Sequence, residues 1–343
     1  MPKKRLALVL LVFSEIIAGL FFLFFVHLHF TNKNEIEQEK KVALVSSEFT
    51  QLHNSDRFQY YTELRPNLSE KNQPSWLSHE AVYTYNSDGL NDRYDYSLEK
   101  DKNVFRIIAL GDSFTFGHYV NTEDSWPEQL EDILNQDELN HSEISFEVIN
   151  LGMRGFDIPY SVERYKRIGQ KYSPDLIIWF ESGSGFQRYV ELLWPIIFSC
   201  VDNNEKNAAD AISLEKLKID YQHLVKCWIS GEEFLIQKYS QKTIETKLDE
   251  FLDEFYLLTE NTPTTFILFD SSSLNQVQKE RVSYLKNRYK RFSFETIVQE
   301  LKTEEVLPDG HPSREGHEKI AQSIHHYLIS SSSLPSSTCE GDQ

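Results

Sequence analysis

The chain has 343 residues, with 35 Lys and Arg against 53 Asp and Glu, a formal charge of −18. That length suffices for one large domain with a real core. The acidity excludes a general nucleic-acid binder, which needs a basic face for phosphates, and three cysteines exclude a disulfide scaffold or a Cys-based zinc array.

The charge is unevenly spread. Residues 1–30 set Lys3, Lys4 and Arg5 against Glu15, a net of +2, so the rest of the chain carries −20. From Leu6 to Val26 runs LALVLLVFSEIIAGLFFLFFV, 21 residues with one charge. As a helix it spans ~30 Å, the thickness of a bilayer core. A cleaved secretory signal would be shorter and end in small residues. Here Val26-His27-Leu28-His29-Phe30 follows, which favours an uncleaved transmembrane anchor over residues 1–30. The three cations before it place the N-terminus in the cytoplasm and the bulk of the chain in the periplasm or outside the cell. Glu15 reads as a protonated carboxyl tolerated in an apolar helix. The alternative is a contact with a polar group of a partner membrane protein.

Residues 31–100 read as a membrane-proximal linker region, polar and weakly patterned up to about Pro74. Residues 101–330 alternate short β-rich runs with amphipathic stretches. Strands are expected at 104–110, 146–151, 175–180, 264–269 and 292–297, and helices at 126–134, 158–168 and 314–328. Such alternation predicts a parallel sheet covered by helices, with sites at the carboxyl ends of the strands. The gap between the third and fourth strands predicts a helical insert at about 187–260. Leu248, Phe251, Leu252 and Phe255 share one face of a helix over 243–258 there. The Ser-rich tail, 331–343, reads as disordered.

Three segments carry chemistry. Gly111-Asp112-Ser113-Phe114-Thr115-Phe116-Gly117 follows the first strand, where a serine can present its hydroxyl above the sheet; alone, a helix-capping serine would explain it as well. Asn150-Leu151-Gly152-Met153-Arg154-Gly155 follows the second strand, and a glycine there brings a backbone N–H close to a ligand. Pro308-Asp309-Gly310-His311 precedes the last helix. A histidine can take and return a serine's proton while a carboxylate fixes its tautomer.

Together, and in this order, these segments resemble the SGNH, or GDSL-type, hydrolases over about 104–330. The resemblance implies a flavodoxin-like three-layer α/β/α sandwich and a serine esterase mechanism without metal or cofactor. By the same resemblance Ser113 is the nucleophile, His311 the general base and Asp309 its orienting carboxylate. The N–H groups of Ser113 and Gly155 form the oxyanion hole. One departure stands out. Ser184 occupies the position of the family's asparagine donor, so the amide is missing, and losing one such donor can cost ~10²–10³ in rate. Gln187 lies nearby as a replacement donor.

Other residues carry less. His118 reads as a loop histidine that can line the site, and His317 as a helix-packing or capping group. No Cys/His spacing supports zinc, and no Gly-rich loop followed by Lys supports nucleotide binding. Whether Cys200 and Cys227 pair is left open by the sequence; Cys339 reads as unpaired. The expected substrate is a small or glycan O-acyl ester. The alternatives are an O-acyltransferase working on an envelope glycan with a membrane partner, and a non-catalytic glycan-binding module.

Overall fold

The structure is a computed structural model that describes residues 57–136, 144–181, 185–201, 221–269, 274–298 and 301–335. The chain divides into two compact units, Met1–Phe49 and Thr50–Gln343, and all described residues lie in the second. The expected membrane anchor and Glu15 fall outside the described residues, as do Ser184 and Cys339. Among the described residues no helix is long and apolar enough to cross a membrane.

Five strands, β3 (Val104–Gly111), β4 (Ser145–Asn150), β5 (Leu176–Glu181), β6 (Thr264–Phe269) and β7 (Phe292–Val298), form a parallel sheet in the order β4-β3-β5-β6-β7. Each lies within about a residue of its expected position. The chain leaves β3 to one side for β4, then returns past it to β5. That reversal makes the carboxyl end of β3 the topological switch point of a doubly wound sheet, where ligand crevices form.

The strands are apolar on both faces because both are covered. Ile107 and Ala109 of β3, Val148 of β4, Ile178 and Phe180 of β5 and Ile267 of β6 share one core cluster with helices α2 (Trp126–Gln136) and α8 (Arg314–Ser330). On the opposite face Trp179 meets Phe255 of α6 (Gln241–Leu258) edge-on at 5.0 Å. Phe255 in turn meets Tyr165 of α3 (Ile158–Arg167) at 5.2 Å. Full burial of one such side chain contributes about 1.5–3 kcal/mol. The result is a three-layer α/β/α sandwich.

Two boundaries differ from expectation. The expected insert contains the ordinary crossover helix: α6 connects β5 to β6 and buries Leu248, Phe251, Leu252 and Phe255. The additional chain is α4 (Val190–Val201) and α5 (Tyr221–Tyr239), which Cys200 and Cys227 join by a disulfide with Cα atoms 5.6 Å apart. Closing a loop of this length stabilises by about 3 kcal/mol in the chain-entropy account. At the other end, Ser331 and Ser333 donate backbone bonds to the end of α8, and Leu334 packs on the core cluster. The first residues of the expected disordered tail therefore belong to the fold.

The larger difference lies in the expected linker. From residue 57 onward it is part of the folded body. Phe58 stacks on Phe251 of α6 at 5.6 Å, and Glu63 pairs with the buried Arg164 of α3. Strands β1 (Ser69–Asn72) and β2 (Ala81–Thr84) form a short antiparallel ribbon. Four-residue strands are too short for a period-2 pattern to emerge. Some of its polar residues are buried on distant partners, as Asn91 is on Phe116 O and Thr122.

Candidate active site

Ser113 is the first residue of α1 (Ser113–Phe116), a single turn starting two residues after the glycine that ends β3. Asp112 caps it, its carboxylate accepting the Phe114 N–H at 2.9 Å. The turn is held against the sheet by Thr115, whose buried hydroxyl donates to Leu110 O at 3.3 Å.

The β4 loop docks directly on this turn. Met153 N–H donates to Gly111 O at 3.2 Å, and Asn150 Oδ1 accepts the Gly152 N–H at 2.9 Å. Gly152 is required by close approach: a Cβ there would lie 2.3 Å from Phe116 N and 2.5 Å from Thr115 C. Gly155, three residues on, has φ +73°, a conformation that favours glycine. A Cβ on it would face the Trp194 ring of α4 at 3.5 Å.

The third segment meets the first. Leu307 N–H donates to His311 O at 2.7 Å, and Ser313 caps α8, accepting from Gly316 N–H. This loop brings His311 Nε2 to 2.8 Å from Ser113 Oγ, across 198 residues of sequence, and His311 Nδ1 to 2.7 Å from Asp309 Oδ2. Asp309 Oδ1 also accepts the His311 backbone N–H at 3.2 Å. A carboxylate only accepts, so Nδ1 carries the ring proton, and Nε2 is the base that accepts from the Ser113 hydroxyl. The Asp309 side chain is 2% exposed and that of His311 18%, so the carboxylate is dry while the imidazole stays partly open to solvent.

The other histidines differ in kind. His317 Nδ1 accepts the N–H of Trp126, the first residue of α2, at 3.2 Å. Burial, and secondarily the nearby His311, push its pKa down to about 3. It is a neutral cap, as the capping expectation had it. His118 lies 5.2 Å from the His311 ring. Burial first, then His311 and Arg154, hold its pKa well below the usual range. Tyr83 OH accepts the Tyr119 N–H at 2.8 Å and lies 3.2 Å from His118 Nδ1. Gln187, considered as a replacement oxyanion donor, gives its amide to Glu245 of α6 at 3.2 Å.

Several site residues were not visible in the sequence. Asn91 Nδ2 donates to Phe116 O at 2.7 Å, while its Oδ1 accepts from Thr122 and its O from Asn150 Nδ2. It ties the former linker to both the serine turn and the glycine loop. Tyr119 has φ +71°, a strained state for an aromatic residue, worth of order 1–3 kcal/mol. It is held there by Tyr83 OH on its N–H and by His79 Nε2, 2.9 Å from its carbonyl. Only the adjacency of His118-Tyr119 to the serine segment could have hinted at either residue.

Among the described residues, one His/Cys group has metal-binding geometry: Cys200, His223 and Cys227. The disulfide occupies both sulfurs, and the group is not part of the triad.

No protein-family model matches the chain, and no curated protein does. Solved structures similar to it include a family 3 carbohydrate esterase from Clostridium thermocellum, at 15% identity and TM-score 0.38, covering 66% of this chain and 96% of that one. A two-domain esterase active on acetylated mannans has 15% identity and TM-score 0.38, covering 68% and 51%. A member of the lipolytic G-D-S-L family from Veillonella parvula has 11% identity and TM-score 0.36, covering 66% and 98%. At such identities and scores, function has to be argued from the site itself.

Proposed function

We propose that this chain is a serine ester hydrolase of the SGNH type. The observation that carries the reading is the unbroken relay Ser113 Oγ–His311–Asp309, with contacts of 2.8 and 2.7 Å, at the switch point of the sheet. His311 Nε2 takes the Ser113 proton as Oγ attacks the ester carbonyl. Asp309 stabilises the imidazolium, which then protonates the departing alcohol. The N–H groups of Ser113 and Gly155 stabilise the tetrahedral oxyanion. Water, activated by the same histidine, releases the acid from the acyl-Ser113 intermediate.

The substrate we infer is a short O-acyl ester, carried by a glycan of the cell envelope. The apolar run at Leu6–Val26 supports a membrane-anchored chain with its catalytic domain outside the cytoplasm. The Cys200–Cys227 disulfide supports the same placement, because such bonds persist in oxidising compartments. Turnover of p-nitrophenyl acetate by the wild type, abolished in Ser113→Ala and His311→Ala, is the expected result. Equal turnover by wild type and Ser113→Ala would overturn the reading. Release of free acid without an added acceptor separates hydrolysis from transfer to a sugar hydroxyl.

A further inference from the structure

The direction of proton transfer orients the site. Ser113 Oγ bonds to the acyl carbon as that carbon's bond to the alcohol oxygen breaks. The electron pair of the broken bond stays on the oxygen, which collects the proton that His311 Nε2 took from Ser113. The departing alcohol must therefore lie against the His311 ring at the open side of the crevice.

Three rings neighbour His311: Phe114 at 5.3 Å, His118 at 5.2 Å and Tyr119 at 5.4 Å. Phe114 turns inward onto Phe180 and Phe269. His118 lies against the Tyr119 ring at 3.6 Å, with its Nδ1 3.2 Å from Tyr83 OH. Tyr119 remains. It is half-exposed, and the half-exposed Trp76 meets it at 4.8 Å with the ring planes 76° apart. The two form an aromatic corner beside the histidine that must protonate the alcohol.

This corner is built rather than incidental. Tyr119 adopts its left-handed backbone against the preference of its type, with both its N–H and its carbonyl engaged by Tyr83 and His79. Trp76, His79 and Tyr83 all belong to the 57–100 segment, which has no part in the Ser113–His311–Asp309 relay.

We propose that Trp76 and Tyr119 form the leaving-group subsite and select an alcohol that is itself a saturated ring, namely a pyranose carrying the O-acyl group. The apolar C–H face of a sugar packs on an aromatic face while its hydroxyls stay near polar ring tips, as an amphipathic aromatic pair allows. A straight alkyl alcohol would have no use for a corner of two rings set nearly at right angles. This inference rests on the serine esterase reading and deepens it.

The test compares three acetates that deliver the same acetyl group to Ser113 and differ only in the alcohol: xylose tetraacetate, ethyl acetate and hexyl acetate. For each, kcat/KM reports acylation, the step in which the alcohol is present. Trp76→Ala and Tyr119→Asn are the variants, asparagine being chosen because it tolerates positive φ. Each is expected to lower kcat/KM for the sugar ester relative to ethyl acetate at least fivefold. Trp76→Phe, which keeps a ring, is expected to recover most of that ratio. A ratio that moves less than fivefold in both variants overturns the subsite, and so does a larger relative loss on hexyl acetate than on the sugar ester. If the wild type cleaves none of the three esters, the esterase reading itself falls. Wild-type turnover with an unmoved ratio sinks only the subsite.

Discussion

The triad and its surrounding wall come from regions of unlike character. The triad sits on two short loops, 111–117 and 308–312, whose Gly, Pro, Asp and His residues dictate their own local geometry. Asp309 reaches His311 two residues away, and Asp112 caps the turn that carries Ser113. The wall comes from 57–100, where little is local. Asn91 acts on Phe116, 25 residues on, and Tyr83 acts on Tyr119 across 36. The Ser-His-Asp groups sit on compact segments here, whereas the surface around them is assembled from distant pieces. Substitutions in the two regions should therefore fail differently: loss of rate without loss of fold in the first, loss of both in the second.

The largest effect is expected at Ser113. Ser113→Ala should lower kcat for p-nitrophenyl acetate by at least about 10³-fold while leaving the melting temperature within a few degrees of wild type. Gly152→Ala should lose stability as well as activity. Its new Cβ meets backbone atoms at 2.3 and 2.5 Å, neither of which can rotate away, and overpacking of this kind costs about 1–3 kcal/mol. Chemical denaturation should show that loss, and activity should fall because the Gly155 loop is displaced. Asn91→Ala comes third. It leaves the buried Phe116 carbonyl and Thr122 hydroxyl without the Asn91 partner, a cost of about 2 kcal/mol. If Asn91→Ala unfolded at wild-type denaturant concentration, 57–100 would be a loosely attached linker after all.

The five strands and the main helices were legible because each is a run of six or more residues whose burial dictates its composition: Leu176–Glu181 is buried throughout. The triad was legible because a serine after a strand and an Asp-Gly-His before a helix are local patterns. Asn91, Tyr83, Trp76 and Tyr119 were not. A lone asparagine or tyrosine in a polar stretch carries no periodic signal, and its meaning depends on a partner dozens of residues away. The boundary of the helical insert was misplaced for a related reason. An amphipathic helix in an insert and one in a crossover have the same pattern, and only the packing of Phe255 on Trp179 separates them. Whether Cys200 pairs with Cys227 likewise depends on how α4 and α5 pack, which spacing alone does not dictate.

The smallest effect sharpens the same contrast through pH. Next to the wall, burial pushes the carboxyls of Asp92 and Glu131 up to about 7, and it does the same to Asp157 at the head of α3. Glu128 is raised as well, by burial and then by Asp92. A carboxyl with a raised folded-state pKa takes up its proton in the native state before the unfolded chain does. Its contribution therefore grows as pH falls through about 7 and is lost as pH rises through it. Below 6.5 the depressed histidines, His118 and His317, oppose this, since the unfolded chain then gains protons that the native state refuses. Stability should therefore climb from pH 8 to about 6.5 and rise more gently to about 5. Glu131→Gln keeps an acceptor for Val148 N–H and Tyr96 OH but removes a charge. It should raise the melting temperature at pH 8 by a few degrees and flatten the climb. Melting curves taken at a series of pH values decide this. A stability curve that instead falls monotonically from pH 8 to 5 would mean that the carboxyls beside the wall are solvated, and the 57–100 segment with them.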